Sequence, residues 1–96
     1  MTVKTTDYGV CKIYVNRYPS NGNLALSLKD ECGLPITNIT SNIVPLDENL
    51  FCLNINNMTD TLLADLLETG WFEATGEHFQ SGFCEFPVYK VKEGVL

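Results

Sequence analysis

Between Asp30 and Tyr89 the sequence contains no lysine or arginine. All six basic residues lie in the first 29 positions or after Tyr89, whereas ten of the 12 acidic residues lie in the stretch between, and the net charge is −6. A domain with this charge repels nucleic-acid phosphates and anionic lipid. Direct nucleic-acid binding is therefore disfavoured, and a basic protein partner is favoured.

The sequence also lacks long apolar segments. Its first ten residues, MTVKTTDYGV, do not contain the apolar region of a signal peptide. No apolar run approaches the roughly 18 residues that cross a bilayer. We therefore expect a cytoplasmic protein that does not contact membranes. Because linkers, low-complexity segments and repeats are also missing, we expect one domain over residues 1–96, with its core in about residues 8–91.

Closely spaced cysteine pairs are missing as well. The four cysteines lie 21, 20 and 32 positions apart, whereas zinc ligands usually occur in close pairs. Nothing indicates export, which would favour disulfides. We therefore interpret each as a small buried apolar residue. They are Cys11, Cys32, Cys52 and Cys84.

Motifs for phosphate binding and for metal-dependent proteolysis do not occur: there is no G-x-x-x-x-G-K-[ST], G-x-G-x-x-G or H-E-x-x-H. His78 is the single histidine, and Cys84 follows it by six residues. A thiol held by an imidazole would support a small thiol-dependent hydrolase, but this spacing does not enforce the contact. We predict no catalytic residues, no cofactor and no metal ligands, and we leave open whether the chain is an enzyme.

Alternating apolar residues predict four strands in the first half, at residues 10–18, 24–30, 36–44 and 50–55. Asn21-Gly22 between the first two predicts a hairpin, because both residue types tolerate a positive φ. The period then changes. Leu62, Leu63, Leu66 and Leu67 form a helical stripe, with Asn57 or Thr59 as N-cap and Gly70 as the left-handed residue after the last turn.

After the helix, WFEAT is consistent with a short strand or an extended link, and GEHFQSG is expected to be a loop. FCEFPVYKV alternates as a strand, and Pro87 requires that strand to lie at an edge or to be interrupted. The predicted fold class is therefore α+β. It is an antiparallel sheet of about five to six strands, in the order ββββ-α-ββ, with one helix packed on one face.

Six aromatic residues lie in the stretch 71–89, and a small chain needs most of them for its core. The acidic residues between them have the wrong sign for a nucleic-acid surface. A partly exposed protein-binding patch is the alternative to the core interpretation, and Trp71 is expected to hold the helix against the sheet. The candidate partner-binding residues are Asp65, Glu68, Glu73, Glu77, Trp71 and Phe79.

Three segments together carry a resemblance: NGNLALSLKDECGLPITNITSN, the helix ending LLETGWFEATGE, and the terminal SGFCEFPVYKV. With these segments the chain resembles a small domain-of-unknown-function family of gut Firmicutes-type bacteria, found on phages, plasmids and conjugative elements. The resemblance extends over roughly residues 8–91. It implies a bacterial or phage origin and an accessory role, with no activity, cofactor or catalytic residues to carry over.

These observations favour a small acidic accessory protein of a phage or mobile element that binds another protein, with a basic partner favoured, without catalysing a reaction. One alternative is an inhibitor that places its carboxylates in the phosphate-binding groove of a host nucleic-acid-binding defence enzyme. A second is the thiol-dependent hydrolase. A third is a structural homo-oligomer in which the last strand pairs with its copy; otherwise we expect a monomer or weak homodimer.

Overall fold

The structure, a computed structural model, describes residues 1–95, which form eight strands and one α-helix. The strands are β1 (Thr2–Thr5), β2 (Gly9–Arg17), β3 (Leu24–Asp30), β4 (Pro35–Asn38), β5 (Thr40–Ser41), β6 (Leu50–Leu53), β7 (Phe72–Ser81) and β8 (Cys84–Val91). The helix is α1 (Asp60–Glu68), and a 3₁₀ turn at Ile55–Asn57 precedes it. The strands form two antiparallel sheets, with the orders β1-β2-β3-β4 and β5-β6-β8-β7. We refer to these as the first and second sheets.

The α+β class is confirmed, but the prediction of a single sheet is wrong because the chain changes sheets at Ile39. The backbone N–H of this residue donates to Leu26 O at 2.8 Å in the first sheet, and its carbonyl accepts from Asn54 N at 2.8 Å next to the second. The predicted strand at 36–44 is therefore divided into β4 and β5. Alternation indicates that one side of a strand is buried, but it does not indicate which neighbour the strand pairs with.

The predicted strand order is also wrong, because six strands and not four precede the helix. The additional N-terminal strand, β1, pairs with β2 from Thr2–Lys12 to Thr5–Gly9. Val3 in this strand is buried in the core, at a position before the stretch 8–91. The four residues of β1, with Thr2 and Lys4 at alternate positions, are too short a pattern to predict a strand.

The segment that was expected to be a loop after residue 75 is part of β7, the longest strand. It forms a hairpin with β8 around Gly82-Phe83, in which Gly82 has a φ of 62°, as the first central residue of a type II′ turn requires. A bulge lies between Ala74 and His78. Both faces of this strand are solvated over most of its length, so its sequence is rich in glutamate, glutamine and serine and does not alternate between apolar and polar residues. The pattern therefore did not predict a strand here.

Pro87 is accommodated as the sequence required. The strand that contains it, β8, lies between β6 and β7 and is not an edge strand. The pairing with β6 ends at Cys52–Val88, however, so Pro87 has a neighbouring strand on one side only. Since β8 is already paired on both sides at residues 89 and 90, the homo-oligomer in which this strand pairs with its copy has no free edge there.

The hairpin of β2 and β3 is confirmed, with Arg17 paired to Leu24. Its connection is six residues long, and the reason given for it was partly wrong. Gly22 has a positive φ of 74°, whereas Asn21 does not. Asn21 instead uses its side-chain oxygen to accept from Asn23 N at 3.1 Å, a local Asx-type contact that stabilises the turn.

The helix begins and ends as predicted. Thr59 is the N-cap and accepts from Leu62 N at 3.1 Å, and Gly70 has a φ of 75°. Leu62 and Leu66 are buried. Contrary to the expectation that the helix packs across one sheet, it contacts β1 and β7, an edge strand of each sheet. With nine residues, it is far too short to cross a membrane, and no helix within residues 1–95 meets that requirement.

The main core lies between the inner faces of the two sheets, with α1 closing the side between β1 and β7. Phe51 is at its centre, with its ring 5.6 Å from that of Phe72 in an edge-on arrangement and 6.3 Å from that of Tyr89. The buried members of the core are Val3, Cys11, Ile13, Leu24, Leu26, Leu28, Ile39, Phe51, Leu53, Leu62, Leu66, Phe72 and Val91. Because both sheets bury one face here, their other faces point away from each other.

Candidate functional site

The outer face of the second sheet carries a smaller apolar cluster. Cys52, Phe86 and Val88 are buried in it, since strand alternation turns them away from the main core. The irregular segment 42–49 and the start of β6 cover this cluster, and Phe79 packs against it from β7. The remaining partly buried members are Ile43, Leu46 and Leu50. The cluster lies beneath the outer face and supports the exposed polar side chains on it.

An open groove of about 440 Å³ lies on this face, lined by Pro45, Leu46, Asp47, Leu50 and Glu77. Three of its five lining residues are apolar, and its two carboxylates are both exposed. One carboxylate comes from the irregular segment and the other from the bulged part of β7. The groove therefore brings together two acidic residues that are 30 positions apart in the sequence.

A second groove, of about 330 Å³, continues from the first and shares Asp47 and Leu50 with it. Its other lining residues are Glu48, Asn49 and Lys90. Glu73 on β7 lies directly opposite Lys90 on β8. We call Asp47, Glu48, Glu73 and Glu77, together with Lys90, the acidic face.

Hydrogen bonds from the first sheet hold the groove segment in place. Asn23 is buried; its Nδ2 donates to Val44 O at 2.6 Å and to Asn42 Oδ1 at 3.0 Å. Its Oδ1 accepts from Leu46 N at 3.0 Å. Further along, Arg17 Nη1 donates to the carbonyl oxygen of Glu48 at 2.6 Å. A segment without regular structure is thus fixed by side chains, which orders the groove before any ligand arrives.

Three of the six predicted partner-binding residues lie on the outer face of the second sheet. Glu77 lines the first groove, Glu73 lies beside Lys90, and Phe79 packs against the apolar cluster with its ring partly exposed. These three come from one strand, and the structure brings one of them, Glu77, together with Asp47. Their role in binding a partner stays a prediction.

The other three lie elsewhere. Trp71 packs against the main core immediately after the helix, the position expected for a residue that holds the helix in place. The carboxylate of Asp65 accepts from Thr6 N at 2.8 Å and from Thr6 Oγ1 at 3.2 Å, which ties α1 to the turn after β1. Glu68 is exposed on the helix. The six residues therefore do not form one continuous surface.

Sequence reasoning did not select Asp47 and Glu48 as site residues. Two adjacent acids in a turn are ordinarily solvated, so the pair by itself does not indicate a site. The signal that was present is the apolar segment around them, IVPLDENL, in which proline and leucine flank the acids. Only the packing of this segment over β6 and β8 gives the two acids a groove.

The geometry does not join His78 to Cys84. Cys84 is paired with Ser81 across the hairpin, and Ser81 is three positions from His78, so the imidazole and the thiol project from opposite faces. His78 Nδ1 instead lies 3.3 Å from Glu85 Oε1. We therefore do not propose the thiol-dependent hydrolase.

The interpretation of all four cysteines as buried is wrong for two of them. Cys11 and Cys52 are buried, whereas Cys32 and Cys84 are exposed in or beside turns, and all four thiols are free. Burial raises the pKa of the Cys52 thiol. Within residues 1–95, no group of three or more histidine, cysteine, aspartate or glutamate side chains is placed to hold a metal ion.

The hairpin of β7 and β8 projects beyond β6 and carries an exposed aromatic residue at its tip. Phe83 has a relative exposure of 108%, the highest among the large apolar residues. It is the one ring of the six in this stretch that contributes nothing to either apolar cluster. The expectation that most of these rings serve the core is therefore confirmed by the other five, and Phe83 is the exception because an outward side chain at the turn has nothing to pack against.

Comparisons with known proteins give no match to a family model, to a curated protein or to a solved structure. The resemblance to a mobile-element family therefore stays a prediction. A function must therefore be proposed from the acidic face and its grooves.

Proposed function

We propose that this chain is a non-enzymatic protein-binding module whose acidic face binds a basic segment of a partner protein. The observation that carries the proposal is the first groove, where Asp47 and Glu77 stand beside walls made by Pro45, Leu46 and Leu50. An accessory role on a phage or mobile element, which the sequence resemblance implies, belongs to the same proposal.

The groove suits one particular kind of side chain. Lysine and arginine combine an apolar stem with a charged head, and they bury the stem along apolar surface while the head stays at a polar rim. Here the stem would lie against Leu46 and Leu50, and the head would meet the carboxylates of Asp47 and Glu77. Arginine is favoured over lysine, because its planar head makes two parallel hydrogen bonds to a carboxylate.

The hairpin tip gives a partner a second point of attachment. Phe83 lies on the same hairpin as Glu77, six residues further along the chain, or at most roughly 20 Å at the rise of a β-strand. Exposed aromatic residues act as anchors when they enter a pocket of the partner. A partner with a basic side chain and an apolar pocket at this separation would engage both points.

The test uses a peptide probe and a matched pair of variants. The probes are blocked hexapeptides of arginine, lysine and glutamine, titrated into the labelled protein and followed by the NMR shifts of its backbone amides. We expect shifts at residues 46–50 and 77–79, with arginine stronger than lysine and no binding by glutamine. In the variant Asp47→Asn/Glu77→Gln, affinity for hexa-arginine should fall about tenfold, or roughly 1.4 kcal/mol.

The control variant is Asp7→Asn/Glu31→Gln, which removes the same two types of acid from exposed turns elsewhere. It changes the net charge equally, so it should lose only the small long-range electrostatic contribution. Equal losses in the two variants would contradict the proposal, because the binding would then depend on net charge alone. Affinity capture with the same two variants extends the test, since a true partner is lost only with the groove variant.

The inhibitor hypothesis makes the partner a nucleic-acid-binding enzyme. Four carboxylates around Lys90 make a small surface compared with a length of nucleic-acid backbone, so the general binding function is better supported. Inhibition of a bacterial nuclease that depends on salt and on Asp47 and Glu77 would favour the inhibitor instead.

A further inference from the structure

The outer face of the first sheet carries three of the six basic residues. Lys4 on β1, Lys12 on β2 and Lys29 on β3 alternate with residues that point into the core, so their side chains are on the solvent side. The outward positions of these three strands hold no acidic residue. The remaining outward residues are Thr2, Val10, Tyr14, Asn16, Ala25 and Ser27. We call this surface the lysine face.

The arrangement of these charges opposes folding to a small extent. Lys12 lies directly opposite Lys29 in the antiparallel pair, a position where like charges are unfavourable. Within the part of the chain that the structure describes, the ion pairs at 4.0 Å or less are Arg17–Glu48 and His78–Glu85, and none of the three lysines takes part. Lys29 Nζ lies 4.7 Å from the centre of the Tyr14 ring, a weak compensation at an exposed site.

We propose that the lysine face is a second binding surface, which binds a short acidic segment of a partner protein. Opposite charge is the first reason, since such a segment would remove the repulsion between Lys12 and Lys29. Size is the second. The three lysines lie on three neighbouring strands, so the charged surface is about 10 Å wide, the length of three to four extended residues.

A nucleic acid fits this surface less well than an acidic peptide segment. Subtracting the three lysines from the net charge of −6 leaves −9 on the rest of the chain. A long polyanion would extend past the lysine face and meet that negative charge, whereas a short segment would not. The aromatic ring that could stack on a base, Tyr14, is already covered on one side by Lys29.

This surface is independent of the acidic face, because the outer faces of the two sheets point away from each other. The two proposals can therefore fail separately. Loss of groove binding in the acidic-face variant leaves the lysine face intact, and the reverse holds for lysine variants.

The experiment measures binding of the whole chain to blocked tetraglutamate by NMR titration at low salt. We expect amide shifts on β1, β2 and β3 around Lys4, Lys12 and Lys29. The variant Lys4→Gln/Lys12→Gln/Lys29→Gln should bind at least tenfold more weakly. The control Gln80→Glu/Lys92→Glu lowers the net charge by the same three units at exposed positions outside both faces, and it should stay within about twofold of the wild type.

Three results would overturn the proposal. The first is tighter binding of an eight-nucleotide single-stranded DNA than of tetraglutamate at the same lysines, which would make the ligand a nucleic acid. The second is an equal loss of binding in the control variant, which would make the effect one of net charge. The third is self-association in light scattering that the triple lysine variant abolishes, which would make the occupant a second copy of the chain.

Discussion

The outer faces of the two sheets differ in charge, in shape and in how they are built. The lysine face is formed by regular strands, is flat and carries three positive charges with no acid among them. The acidic face is formed by a bulged strand and an irregular segment, has two grooves and carries four acids and one lysine, with Arg17 paired to Glu48 at its border. Regular strands place side chains at fixed intervals on a surface, whereas a cavity requires an interruption of the regular pattern.

The largest expected effect tests whether both faces depend on one core. Leu66 is fully buried in the helix between the two sheets, and replacing it with alanine should cost about 3 kcal/mol of unfolding free energy, since the cavity cannot collapse fully. Urea denaturation provides the measurement, with binding of both peptide probes followed in parallel. Leu63→Ala, at a half-buried position in the same helix, should cost clearly less. Loss of one face with retention of the other would mean that the sheets fold separately.

A second variant should damage one face alone. Asn23→Ala removes the hydrogen bond that the side chain accepts from Leu46 N and the one that it donates to Val44 O, both of which fix the groove segment. We expect a loss of about 1–3 kcal/mol in stability, because buried polar backbone groups are left without partners. Binding of hexa-arginine should weaken while binding of tetraglutamate is unchanged. Asn56→Ala, at an exposed position in the 3₁₀ turn outside both faces, serves as the control, and a similar effect there would argue against the specific role of Asn23.

Cys52, in the apolar cluster beneath the acidic face, has a buried thiol that should make the stability of the protein depend on pH. Because the pKa of Cys52 is raised in the folded state, the unfolded chain loses this proton first as the pH rises. The contribution of the protonated Cys52 thiol to the free energy of unfolding is complete below about pH 8.5. Above that pH it is lost, by at most about 1.4 kcal/mol per pH unit. Urea unfolding at pH 7.5 and 9.5 should show a smaller decrease for Cys52→Ala than for the wild type. Cys84→Ala, which changes an exposed thiol, should keep the wild-type decrease.

The smallest effects should have opposite signs on the two faces. Lys12→Glu places a carboxylate opposite Lys29 and should stabilise the fold by a few tenths of a kcal/mol, whereas Lys90→Glu places one opposite Glu73 and should destabilise it by a similar amount. Thermal denaturation in low salt measures both changes, and both should diminish in 0.5 M salt. If the melting temperatures of both variants changed in the same direction, the residue on the opposite strand would not be what determines the effect.

Sequence reasoning succeeded where a pattern is local. The helix was predicted with Asn57 or Thr59 as its cap, a stripe of four leucines and Gly70 after its last turn, because each depends on residues within one or two turns. The structure has Thr59 as the cap and buries Leu62 and Leu66 of the stripe. The hairpin between β2 and β3 was predicted for the same reason. At β7 the method failed, since that strand has no buried face over most of its length and so shows no alternation.

The candidate site was predicted in part. Glu73, Glu77 and Phe79 were selected because they lie in an acidic, aromatic stretch, and they do share the outer face of the second sheet. Asp65 was selected as an acid of the base-free region between Asp30 and Tyr89, but its carboxylate is occupied by Thr6, 59 residues away in the sequence. Contacts over such distances leave no signal in one sequence.

The sequence alone determined the α+β class, the helix with its ends, the hairpin between β2 and β3 and the interruption at Pro87. Each follows from backbone and side-chain preferences that act between near neighbours. Only the tertiary structure decided that Ile39 carries the chain from one sheet to another, that Asp47 meets Glu77, and that three lysines from separate strands share a face. Those outcomes depend on which strands pair, and pairing is decided by burial of the whole chain at once.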